Sequence, residues 1–158
     1  MSFDLYGELP TGTTVLEASA GTGKTWTIAA LATRYLAEGQ VELSGLMLAT
    51  FSRAATQELR ERVRERLTAT VRGMADGPDS DDPLVQHLCE GTGEQVLRRR
   101  QRLVHALSQF DVATIATTHS FCQQVLDGLG MSGEREPGVR QVESVDDLLH
   151  EVVDDLYL

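Results

Sequence analysis

Lysine is almost missing from this chain. Thirteen of its 14 cationic residues are arginine, and Lys24 is the one exception. Cysteine is also scarce. Cys89 and Cys122 cannot build a disulfide framework, and their spacing is no metal motif, which fits a reducing cytoplasm. No apolar run approaches the ~18 residues of a membrane-spanning helix. The N-terminus has neither a basic stretch nor an apolar core, so no signal peptide is expected. No repeat at a solenoid period and no low-complexity tract occurs. What remains is 158 residues, 41% hydrophobic and 24% charged, enough for one folded domain with a core.

Acids outnumber bases, and the formal net charge is −10. That balance argues against a nucleic-acid surface until its distribution is examined. Residues 76–94 carry −6 and residues 134–158 another −6, so the rest of the chain is +2. The body is therefore mildly basic, with arginines concentrated at 53–72 and 98–102.

Hydrophobic patterning gives the order of elements. Residues 14–18 favour a strand and lead into a glycine-rich loop. Residues 24–37 read as a helix with Ile28, Leu31, Ala32 and Tyr35 on one face, stopped by Gly39. Residues 46–50 form a short apolar run typical of a buried parallel strand. A long helix over 53–73 carries a stripe at Ala55, Leu59, Val63, Leu67 and Val71, ended by Gly73, Gly77 and Pro78. Helices at 83–90 and 94–109, a strand at 112–117 and a helix at 119–129 follow. A short strand at 139–142 and a helix from 145 complete the reading. Strand–helix alternation predicts an α/β parallel sheet with right-handed crossovers and helices on both faces. Ligands of such sheets bind beyond the carboxyl ends of the strands.

Three segments fall at those ends. Ala18-Ser19-Ala20-Gly21-Thr22-Gly23-Lys24-Thr25 fits the Walker A pattern, with Ala18 in place of the first glycine. Gly21 and Gly23 permit backbone conformations that turn N–H groups toward phosphate oxygens, and the following helix adds its positive end. Lys24 can reach the β- and γ-phosphates of ATP, and the Thr25 hydroxyl can hold Mg²⁺. Next, Thr50-Phe51-Ser52-Arg53 offers a hydroxyl, a ring and a guanidinium, a combination suited to stacking bases and binding phosphate. Phe51 as core and Ser52 as a helix cap are the competing reading. The arginines at 60, 62, 64 and 66 fit a solvated helix face with Glu58/Arg62 and Glu61/Arg64 pairs, and the 98–102 cluster fits another. Last, Thr117-Thr118-His119-Ser120 opens a helix whose start could bind a nucleic-acid phosphate, with His119 otherwise a capping or core residue. Cys122 reads as a buried small apolar residue.

Together these segments resemble the N-terminal part of a superfamily 1, UvrD-like DNA helicase, of the RecB (beta subunit of exodeoxyribonuclease V) type. Residues 16–25 stand for helicase motif I, residues 48–63 for motif Ia, and Ile115-Ala116-Thr117-Thr118-His119-Ser120-Phe121-Cys122 for the strand-to-helix motif after it. The likeness covers residues 3–130 well and the tail loosely. It implies a P-loop NTPase (RecA-like) fold, a partial helicase domain 1A over 1–130 with a helical insertion at about 76–110. A truncated helical subdomain would begin at 131. It implies that Ala18 to Thr25 bind ATP and Mg²⁺, with Lys24 and Thr25 serving the chemistry. Thr50, Phe51, Arg53, Thr118 and His119 would then lie along a single-stranded DNA track. It further implies RecC- and RecD-type partner subunits, nuclease activity in the parent protein, and a role in double-strand break repair and recombination. Two departures stand out. Arg53 replaces an asparagine common in related sequences, and no glutamine precedes residue 40 to read adenine.

Hydrolysis needs a strand ending in Asp-Glu. The acidic pairs at 81–82, 146–147 and 154–155 end no predicted buried strand; the last two lie at helical spacing, where Ser144 and Asp147 resemble a capping box. The expectation is therefore a piece of a larger protein that binds nucleotide without hydrolysing it. A small P-loop nucleotide or metabolite kinase is the alternative enzyme, but the sequence lacks its arginine-rich lid. A non-catalytic phosphate-binding interaction module is the alternative outside enzymology.

Overall fold

A computed structural model describes residues 3–19, 21–128 and 153. Its elements are α1 (Lys24–Glu38), β1 (Met47–Thr50), α2 (Arg53–Asp76), α3 (Pro83–Cys89), α4 (Gly93–Ser108), β2 (Thr114–Thr117) and α5 (Thr118–Gly128). Single 3₁₀ turns at Leu43–Gly45 and Phe110–Val112 precede the two strands. The chain divides into compact units at 1–123 and 124–158. The expected strand at 139–142 and the helix from 145 lie outside the described residues, except Val153, which is helical.

The helices start and stop where side chains and glycines satisfy their open main-chain groups. Ser52 caps α2 by accepting from the Ala55 N–H at 3.1 Å. Asp82 caps α3 through the Leu84 N–H at 2.9 Å, with Pro83 in the first turn, where no N–H is needed. Thr92 and Gln95 form a reciprocal capping box on α4. The long helix α2 runs past Gly73 to Asp76 and stops at Gly77, at φ +92°. Gly73 does not break the helix because its role is packing. A Cβ there would sit 2.8 Å from Val85 Cγ2, so its absence lets α3 approach.

The buried stripe of α2 is Leu59, Val63, Leu67, Thr70 and Met74. Leu59, Val63 and Leu67 are as the spacing predicts, but Ala55 is exposed and Val71 half-buried. Positions four apart drift by about 40° per step around a helix of 3.6 residues per turn. The stripe therefore resets to Thr70, which hides its hydroxyl by donating to the Arg66 carbonyl at 2.8 Å. On α1 the buried face is turned from the predicted one, and Leu31 and Tyr35 are only half-buried. Ala29, Ala32, Thr33, Leu36 and Ala37 are buried, while Ile28 is 39% exposed.

The core lies among α1–α4, with Val63, Leu67, Leu84, Leu88, Leu103 and Phe110 at its centre. The helices α3 and α4, over the span expected as an insertion, pack against α1 and α2. Beside it, β1 and β2 pair in parallel in the register Met47↔Thr114 to Thr50↔Thr117, and α2 packs on both. This is the parallel α/β arrangement the sequence predicts, with fewer strands. Residues 14–18 form no strand; Val15 is 79% and Leu16 41% exposed. Strand-favouring residues make a strand only where a neighbouring edge supplies hydrogen bonds. On the face that Met47 and Ala49 share with Ala116, the two β1 residues are exposed and Ala116 is buried.

Candidate functional site

The loop before α1 is shaped by two left-handed glycines, Gly21 at φ +75° and Gly23 at φ +82°. A side chain at either would strain the backbone, although open space surrounds both. Gly23 also occupies the cap position of α1, and no side chain caps that helix there. The first turn closes through the Thr27 N–H donating to the Gly23 carbonyl at 2.8 Å. No acidic residue lies in that turn, so the positive end of a 15-residue helix is left unopposed.

Lys24 folds back over the loop. Its Nζ donates to the Ser19 carbonyl at 2.6 Å and the Ala18 carbonyl at 3.3 Å. Thr22 Oγ1 donates to the same Ser19 carbonyl at 2.7 Å. All of these groups are exposed, and Thr25 is half-buried beside them. An exposed ammonium can exchange carbonyl partners for phosphate oxygens at little cost, so the residues fit a polyphosphate and its metal ion. Ala20 lies outside the described residues.

The strand ends form a second group. The register Thr50↔Thr117 brings both carboxyl ends level, so 50–53 and 117–120 share one edge of the sheet. Thr50 Oγ1 shares a 2.6 Å hydrogen bond with Thr56 Oγ1 and donates to the Ser52 carbonyl at 3.1 Å. Between Thr50 and the cap Ser52, the chain turns Phe51 outward to 95% exposure. Phe51 is therefore not core, whereas Ser52 is the helix cap that the competing reading proposed. Arg53 and its α2 neighbours to Ala55 are exposed.

On the second strand, Thr117 is buried and caps the helix start. Its Oγ1 accepts from the Ser120 N–H at 3.1 Å and donates to Ser120 Oγ at 2.8 Å. Because Thr117 does the capping, Thr118 and His119 are left exposed. His119 is therefore neither a core nor a capping residue. Cys122 is exposed too, contrary to its expected burial, because α5 has no buried residue. The more protected thiol is Cys89, whose pKa burial pushes up, partly offset by the nearby Arg99 charge. It is no reactive thiolate.

The arginine clusters are solvated faces in part, with Arg62, Arg64 and Arg98 exposed and Arg98 paired with Glu94 one turn away, while other arginines reach between elements. Arg60 Nη2 donates to the Ala113 and Ile115 carbonyls of β2 at 3.3 and 3.1 Å. Arg66 forms a two-pronged pair with Asp82, both bonds 2.7 Å. Arg64 pairs with Asp111 at 2.6 Å and lies over the Phe110 ring. Arg62 pairs with Glu65 rather than Glu58, and Glu61 accepts from Gln57 rather than Arg64. On α4, Arg99 reaches the Leu88 and Glu90 carbonyls, and Arg102 the Ala37 carbonyl. Sequence spacing reveals only pairs within one helix, so these bonds between elements were invisible to it.

Among the described residues, no three His, Cys, Asp or Glu side chains cluster to hold a metal ion, and no helix is long and apolar enough to cross a membrane. Residues 6–156 match the UvrD/REP helicase N-terminal domain family. The chain is 54% identical, over 99% of its length, to RecBCD enzyme subunit RecB of Mycolicibacterium smegmatis, and covers 14% of that protein. It is 51% identical to the subunit of the same name from Mycobacterium tuberculosis, again over 99% of this chain and 14% of the relative. RecBCD enzyme subunit RecB of Escherichia coli is 37% identical over 73% of this chain and 10% of its own length.

Proposed function

The chain belongs to the UvrD/REP helicase family through its N-terminal domain, and on that premise we propose that it is the nucleotide-binding part of a RecB-type, ATP-dependent DNA helicase and exonuclease subunit. It spans 14% of the length of the two mycobacterial RecB subunits. The proposal therefore extends to a longer protein, with RecC- and RecD-type subunits, acting on DNA in break repair and recombination in the cytoplasm.

In this reading the loop 18–25 takes the triphosphate of ATP. Gly21 and Gly23 aim main-chain N–H groups inward, and Lys24 leaves the Ser19 carbonyl for the β- and γ-phosphates. Thr25 is the residue that would hold Mg²⁺, which when bound neutralises charge on those oxygens. The segment binds MgATP without hydrolysing it, because the carboxylates that orient water belong to later parts of the longer chain. Thr50, Phe51, Arg53, Thr118 and His119 line the single-strand track.

One observation carries the DNA part of the proposal. Phe51 is 95% exposed at the sheet end it shares with Thr118 and His119. A fully exposed ring flanked by hydroxyls and helix starts adds nothing to the core and is free to stack a base. For the nucleotide part, a fluorescent ATP analogue titrated into this chain tests the loop. Lys24→Ala is expected to weaken binding at least tenfold with helix content unchanged. Unaltered affinity would remove the loop from the reading.

A further inference from the structure

Arg66 is an expensive residue where it stands. Its side chain is only 13% exposed, and its Nε is buried with no hydrogen-bond partner. An apolar side chain of similar size would fill such a place at lower cost, so a charge there calls for a role beyond packing. Three elements meet at its guanidinium. Both terminal nitrogens bind Asp82 at 2.7 Å, and Asp82 in turn caps α3. The guanidinium carbon also lies 5.3 Å from the centre of the Trp26 ring, within cation–π range.

Trp26 directly follows Lys24 and Thr25 in the first turn of α1. That turn has no side-chain cap of its own, since Gly23 holds the cap position. The indole under Arg66 is thus an anchor for the turn that carries the ammonium and the hydroxyl. We propose that Arg66, locked by Asp82, is a positioning residue for nucleotide binding. It holds the first turn of α1 against α2 and α3 through Trp26, so that Lys24 and Thr25 are set before a phosphate arrives. This rests on the nucleotide reading of the loop, and it ties the acidic segment around Asp82 to that site.

Asp82→Asn is the discriminating variant. Asparagine keeps the cap on Leu84 but removes the charge that locks Arg66. Arg66→Lys keeps a charge but loses the fork, and Trp26→Leu removes the ring. Hydrogen exchange at amides 27–31 is measured without nucleotide, followed by titration with the fluorescent ATP analogue and a melting curve. Lys24→Ala serves as the control for the site. Asp82→Asn is expected to speed exchange at 27–31 more than in the rest of α1 and to weaken the analogue about three- to tenfold. It should also lower the melting temperature, because a largely buried guanidinium loses its partner. Trp26, the single tryptophan, should shift its emission in both Asp82→Asn and Arg66→Lys. Wild-type exchange at 27–31 in Asp82→Asn, with only α3 loosened, would overturn the proposal. If wild-type chain binds no analogue, the nucleotide reading fails, while the exchange result still decides whether the brace exists.

Discussion

Two phenylalanines divide this molecule. Phe110 is 1% exposed in the helical body, and Phe51 is 95% exposed at the sheet edge. The same division runs through the cations. In the body, Arg34, Arg60, Arg99, Arg100 and Arg102 donate to main-chain carbonyls of other segments. Their charge is consumed in holding elements together. At the loop, Lys24 also binds carbonyls, but in an exposed segment that offers it up for exchange. A basic body is therefore no index of a DNA surface here. Among the described residues, Lys24 at the loop and Phe51, Thr118 and His119 at the strand ends are exposed to solvent.

The sharpest way to break that division is to truncate both rings. Phe110→Ala should cost about 3–5 kcal/mol in urea unfolding, from lost burial and a cavity. Phe51→Ala should stay within about 0.5 kcal/mol of wild type, as an exposed side chain does. A large loss from Phe51→Ala would place it in the fold's energetics rather than at a binding edge.

A middle-sized effect is expected at Arg34, which is 3% exposed and bonds the Leu5 and Gly7 carbonyls and Glu38. Arg34→Met should cost about 2 kcal/mol, in the range of hydrogen bonds to charged groups. It should also open residues 3–10 to proteolysis before the rest. Equal cleavage in wild type and variant would show that this guanidinium does not pin the segment.

The smallest effect concerns the thiols. Cys122 should react with a thiol reagent well before Cys89, which is half-buried with its pKa raised. Cys89 gains reactivity only as pH rises toward that raised value, so the gap should narrow in alkaline buffer. Faster reaction of Cys89 at neutral pH would contradict the burial assigned to it.

Much of this was legible in the sequence. The loop, helices α1 to α5, the parallel strands β1 and β2 and the strand-end groups follow from glycine placement, apolar spacing and cap residues. Three things were not. Residues 14–18 favour a strand by composition, but strand formation depends on a partner edge that composition does not encode. The state of Phe51 and His119 depended on which neighbour capped each helix, and Ser52 and Thr117 took those roles. The arginine bonds between elements follow no pattern, because Arg60, Arg99 and Arg102 bond carbonyls, which every residue has, and Arg64 and Arg66 bond acids distant in sequence.

If the exposed strand-end groups serve single-stranded DNA rather than the fold, the DNA response of the enzyme depends on Phe51. The direct measurement is ATPase stimulated by single-stranded DNA in the longer helicase subunit proposed here, comparing wild type with Phe51→Ala. Half-maximal stimulation of the variant should need roughly tenfold more DNA, as the loss of one base stack of about 1–3 kcal/mol implies, with melting and unstimulated ATPase unchanged. Stimulation at the wild-type DNA concentration would contradict it.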